Sequence, residues 1–122
     1  MTGGAQGLGL VTARALLEHG LAALAIFDID EEQGNEALQH FRSLDPAYED
    51  SVHFYRVDVA DEPSVDHTVD LVSQEFGAID ILVNFAGITG SKLAIEYPID
   101  AWKKIFDVNT HGAFLIARAF AR

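Results

Sequence analysis

The chain has 122 residues, 49% of them hydrophobic and 22% charged, which suits one globular domain with a real core and excludes a disordered chain. Eight Lys and Arg against 19 Asp and Glu give a formal charge of -11, so nucleic-acid backbones and anionic membrane surfaces are disfavoured as partners. The absence of cysteine excludes disulfides, thiolate catalysis and Cys-type zinc sites together. No apolar run reaches the length of a membrane span and no charged-then-apolar signal opens the chain, so an intracellular, cytoplasmic protein is expected.

The chain opens on a glycine-rich turn, Met1-Thr2-Gly3-Gly4-Ala5-Gln6-Gly7-Leu8-Gly9. From Gly7 to about His19, Leu8, Val11, Ala15 and Leu16 return at helical spacing, and Gly20 is a plausible stop. Leu21 to Phe27 is a short apolar run ending at Asp28, which reads as a strand buried on both faces of a parallel sheet. An amphipathic helix is expected from Glu31 to about Leu44, with Pro46 just beyond it. Val52 to Val57 is β-branched and aromatic, a second strand ending at Asp58. Asp61 caps a helix with Pro63 in its first turn, running to about Phe76 before Gly77. Ile79 to Val83 reads as a third strand, ending at Asn84. The segment from Phe85 to Pro98 is loop-like, and a long helix is expected from about Asp100 toward Arg122. This alternation predicts an α/β fold with a mostly parallel sheet. A further strand is expected before the glycine turn, where almost no sequence stands.

Glycines at such a turn let the backbone approach a pyrophosphate, and the helix that follows offers unpaired N–H donors. Gly3, Gly7 and Gly9 do not match the GxGxxG spacing, however, and Thr12 falls where another Gly or Ala would sit. By itself the turn is as compatible with a glycine-rich loop without function. Asp28 adds weight, because an acidic side chain at the end of the next strand can accept hydrogen bonds from an adenosine ribose. Its carboxylate would repel a 2′-phosphate and favour NAD over NADP. Asp28-Ile29-Asp30-Glu31-Glu32 fails as a calcium loop, since Gln33 and Gln39 occupy the places of the required Gly and Glu. The five histidines show no ligand spacing, so no metal is expected.

Four motifs together resemble the short-chain dehydrogenase/reductase family over essentially the whole chain. Thr2 to Gly9 resembles that family's TGxxxGxG turn, and Asp58-Val59 its acidic-hydrophobic pair. Asn84-Phe85-Ala86-Gly87 resembles its NNAG motif, with Phe85 in place of the second asparagine. Asn109 falls where the family has a helix asparagine of its catalytic tetrad. The resemblance implies a Rossmann-type doubly wound parallel sheet, a partial NAD(P)-binding domain over residues 1–122, and hydride transfer between nicotinamide and a small-molecule alcohol or ketone. It implies that Gly3, Gly7, Leu8 and Gly9 receive the pyrophosphate and that Asp28 selects the ribose. It assigns adenine to Asp58 and Val59, and the cofactor's inner side to Asn84, Ala86, Gly87 and Ile88. It makes Asn109 the one catalytic candidate and a homo-oligomer through the Asn109 helix the default assembly.

The family's Ser and Tyr-x-x-x-Lys have no counterpart in these 122 residues: Tyr48, Tyr55 and Tyr97 are followed four positions on by Val52, Val59 and Ala101. A tyrosine acid without a nearby ammonium is poorly matched to working pH. The expectation is a chain cut at both ends, carrying the cofactor half and inactive alone. The alternatives are a truncated product that binds nucleotide weakly or does not fold, and a methyltransferase, whose fold also sets a glycine turn and an acidic strand end around an adenosine.

Overall fold

A computed structural model describes residues 1–122, and its order of elements follows the sequence reading closely at the N-terminal side. Helix α1 spans Gly7–Glu18, strand β1 Leu24–Asp28, helix α2 Glu31–Leu44, strand β2 Val52–Arg56 and helix α3 Glu62–Phe76. Helices α4 (Ile99–Phe106) and α5 (Ala113–Phe120) complete the chain, with short 3-10 turns at Pro46–Glu49 and Ala94–Glu96. The punctuation works as its chemistry requires. Asp30 and Asp61 accept the first free amides of α2 and α3, from Gln33 at 3.1 Å and Ser64 at 3.2 Å. Gly20 and Gly77 take positive φ angles of 89° and 76° just past their helices.

Strands β1 and β2 pair in parallel, Leu24 opposite Val52 through Asp28 opposite Arg56. Alternation along β1 sends side chains to opposite faces of the sheet. Leu24 and Ile26 join Ala13 and Leu17 of α1 and Ala37 and Phe41 of α2 in one core. Phe27 joins Val65, Val69 and Val72 of α3 and Ile116 and Ala119 of α5 in another. Two cores on two faces define the doubly wound arrangement, an incomplete Rossmann-type sheet.

The position expected for a strand before the glycine turn is held by Met1–Gly3. Thr2 bridges Phe27 on one side and Asn84 on the other, both in parallel. The Thr2 N–H donates to the Val83 carbonyl at 2.9 Å, and the Phe27 N–H donates to the Met1 carbonyl at 2.8 Å. The order β2, β1, Met1–Gly3, Asn84 is therefore the order of a doubly wound sheet, with Met1–Gly3 in the inner position.

Two expectations are corrected. Ile79 to Val83 does not form a strand: pairing with the inner position is confined to Val83, Asn84 and Phe85, which meet Thr2. A strand needs a partner along its length to close a ladder. The long helix toward Arg122 is interrupted by a wide π turn at Asp107–Gly112. The extra residue of such a turn re-aims the side chains around it, and Asn109 lies inside this one.

Candidate dinucleotide site

At the carboxyl ends of β1 and β2 lies an open cleft of about 770 Å³, the usual ligand position in a parallel α/β sheet. Gly3, Leu8, Gly9, Asp28, Asp58, Val59, Ala86, Gly87 and Ile88 line it, nine of the eleven residues assigned to cofactor binding from the sequence. Gly7, Asn84 and Asn109 are not on its wall.

The glycine turn forms one side. Gly3 and Gly7 have φ angles of 61° and 54°, a backbone region that L side chains rarely adopt. A Cβ on Gly3 would lie 2.7 Å from the Ala86 nitrogen, so this glycine lets the turn and the Asn84 segment approach each other. A Cβ on Gly9 would overlap the Gly3 carbonyl, which lets α1 begin directly against the turn. Gln6, the N-cap of α1, gives no side-chain cap, unlike Asp30 and Asp61 at α2 and α3. The first amides of α1 thus remain open donors at the positive end of the helix dipole.

Asp28 is held at the end of β1 by two backbone donors, the Ala5 N–H to its Oδ2 and the Asp30 N–H to its Oδ1, each at 3.3 Å. This fixes the carboxylate between the glycine turn and the β1–α2 turn. Asp58 accepts from the Ala60 N–H through Oδ1 at 2.9 Å, a local turn that leaves its other oxygen free of protein partners. Val59 is buried beneath it and meets the π turn where Gly112 has no side chain; a Cβ there would lie 2.8 Å from Val59 Cγ2.

Asn84 and Asn109 stand behind the wall and hold it. Asn84 pairs with the Thr2 hydroxyl through Oδ1 and reaches the Ala113 carbonyl through Nδ2 at 3.5 Å. The Thr2 hydroxyl also accepts the Ala86 N–H at 3.1 Å, tying Met1–Gly3 and the loop together. Asn109 receives the Ile88 N–H on Oδ1 at 2.8 Å and donates Nδ2 to the Ile88 carbonyl at 2.9 Å.

The sequence reading missed several lining residues. Gln6, Ile29, Asp30, Ala60, Lys104, Asp107 and Val108 also face the cleft. Asp30 and Ala60 lie two residues past the recognised strand ends, Asp28 and Asp58, which was an available signal. Lys104 carried none, because it arrives from a helix more than 40 residues beyond Asp58 in sequence. No group of three or more His, Asp or Glu is placed to hold a metal ion. No helix is long and apolar enough to cross a membrane.

Comparison with known proteins agrees with this fold. Residues 1–122 match the family model described as short chain dehydrogenase. Zerumbone synthase of Zingiber zerumbet is 38% identical over 100% of this chain and 44% of its own length. Among solved structures, NAD+-bound xylitol dehydrogenase superposes with a TM-score of 0.90 at 35% identity, covering 99% of this chain and 45% of the other. ElxO with NADP bound superposes with a TM-score of 0.84 at 29% identity, covering 98% and 46%. The chain spans less than half the length of these relatives. It belongs to the short-chain dehydrogenase family.

Proposed function

We propose that this chain is the dinucleotide-binding part of an NAD(P)-dependent oxidoreductase acting on a small alcohol or ketone, with NAD preferred. The observation that carries the reading is the single cleft that gathers the glycine turn, Asp28, Asp58-Val59 and Ala86-Gly87-Ile88. The residues fit the group: open helix amides for a pyrophosphate, a fixed carboxylate for ribose hydroxyls, and an acidic-apolar pair for an adenine edge and face.

When bound, the nicotinamide supplies or accepts hydride. The chain's own residues bind and orient. Gly3, Gly7 and Gly9 admit the pyrophosphate to the backbone, with Leu8 over it at the start of α1. Asp28 accepts the ribose hydroxyl protons, and its charge opposes a 2′-phosphate. Asp58 accepts from the adenine amino group, and Val59 packs beneath the ring. Asn84, Ala86, Gly87 and Ile88 close the inner side. Asn109 acts here as a positioning residue, because both faces of its amide are engaged by Ile88. In the longer proteins of the family it belongs to the catalytic tetrad by resemblance. The 122 residues contain no Tyr-x-x-x-Lys, so binding without turnover is the expected behaviour of the chain alone.

Residues 1–122 are read as one partial NAD(P)-binding domain in a cytoplasmic setting. A homo-oligomer through the α4–α5 side is supported by Trp102, Phe106 and Phe114, all exposed aromatics. Titration of the chain with NADH, NADPH and S-adenosylmethionine tests the reading. Saturable binding in the order NADH, NADPH, S-adenosylmethionine supports it. Tightest binding of S-adenosylmethionine would revive the methyltransferase alternative, and a folded chain that binds none of them would refute the proposed site.

A further inference from the structure

The cleft carries an unbalanced set of charges. Four carboxylates face it, those of Asp28, Asp30, Asp58 and Asp107, and a single cation, Lys104. Each carboxylate already has a protein partner. Asp28 accepts from the Ala5 and Asp30 N–H groups, Asp30 from Gln33 N–H, Asp58 from Ala60 N–H, and Asp107 meets the His111 ring at 3.1 Å. Lys104 is exposed and forms no ion pair. Its neighbour Lys103 lies 3.9 Å from Asp100 and is not on the cleft wall.

The helix sets this cation at the mouth of the cleft. Lys104, Val108 and Gly112 recur every four residues, so they share one face of α4 and the π turn. Gly112 is buried against Val59, Val108 is half-buried and Lys104 is exposed. Burial thus falls along this face from the floor of the cleft to its opening. Lys104 stands at the opening on the Asp58-Val59 side.

The charge of a dinucleotide gives that position a task. Its pyrophosphate is doubly anionic and must approach a chain of formal charge -11. The helix amides that would receive it carry only partial positive charge, and the four carboxylates of the wall oppose its entry. A cation at the mouth offsets that repulsion locally, where low-dielectric walls focus its field. Carboxylates held by other donors leave the ammonium free for the ligand.

We propose that Lys104 is the capture residue of the cleft: its ammonium attracts the pyrophosphate of the incoming dinucleotide and sets the rate of association. The proposal rests on the dinucleotide reading of the cleft and adds to it a residue that acts on entry, through charge rather than shape. Charge steering changes the association rate far more than the dissociation rate, and salt screens it.

The test is stopped-flow fluorescence of NADH binding to the 122-residue chain, at about 20 mM and about 300 mM salt, on either side of the range where screening sets in. Lys104→Gln removes the charge, Lys104→Arg keeps it, and Lys103→Gln removes an equal charge away from the wall. At low salt Lys104→Gln should slow association about threefold to tenfold, the low end of steering effects, with dissociation changed less than twofold. At high salt the difference from the parent should shrink. Lys104→Arg and Lys103→Gln should keep the parent rate at both. Association of Lys104→Gln at the parent rate in low salt overturns the proposal, as does an equal slowing by Lys103→Gln, which would make net charge the cause. A loss carried by faster dissociation and untouched by salt also overturns it, since Lys104 would then act through a direct contact. In both cases NADH still binds and the dinucleotide reading stands; a folded parent chain that takes up no NADH refutes that reading and the capture role with it.

Discussion

The side chain of Asn109 and the backbone of Ile88 form a closed two-point pair, Ile88 N–H to Oδ1 at 2.8 Å and Nδ2 to the Ile88 carbonyl at 2.9 Å. The pair spans 21 residues of sequence and joins the π turn to the loop that lines the inner cleft. Asn109→Asp keeps the acceptor but sets a carboxylate oxygen against the Ile88 carbonyl. The expected loss is about 1–2 kcal/mol of stability, with several-fold weaker NADH binding; chemical denaturation and titration of the variant measure both.

Gly9 and Gly7 separate close packing from backbone freedom. A Cβ on Gly9 meets the Gly3 carbonyl and lies 2.9 Å from the Gly4 Cα, whereas a Cβ on Gly7 meets nothing. Gly9→Ala is expected to cost about 1–3 kcal/mol through overpacking and to abolish dinucleotide binding by displacing the turn. Gly7→Ala meets only the penalty of its positive φ, about 1–2 kcal/mol. Thermal unfolding and NADH titration of the two variants should differ most in binding.

Asp28 sets cofactor choice in this account. Asp28→Asn removes the charge and keeps the shape, so NADH affinity should fall roughly 10- to 100-fold, the scale of a lost charge-assisted hydrogen bond. NADPH affinity should fall less or rise. Paired titrations of parent and variant check the ratio, and an unchanged ratio would remove Asp28 from the role.

The sequence carried the elements whose signals are local. Asp61, Gly20 and Gly77 mark helix ends by their own chemistry, and each acts there. Ile79 to Val83 has the right composition for a strand, but a strand depends on a neighbour, and the pattern within the segment says nothing of how far that neighbour reaches. The π turn was equally hidden, since Asp107 to Gly112 keeps a helical pattern and departs from it only where Gly112 closes on Val59. At the cleft, residues at strand ends were legible from position alone. Lys104 and Val108 were not, because tertiary packing brings α4 and the π turn there. The inner position was not legible from its own residues: Thr2 alone suggests no strand, yet it holds the centre of the sheet.

The central claim is that one cleft, built by the glycine turn, Asp28 and Asp58, binds a dinucleotide. Isothermal titration of the folded 122-residue chain with NADH tests it most directly. The account expects one saturable site, weaker for NADPH and weaker again in Asp28→Asn. A chain that keeps its cooperative unfolding and takes up no NADH, or that binds it undiminished in Asp28→Asn and Gly9→Ala, would contradict it.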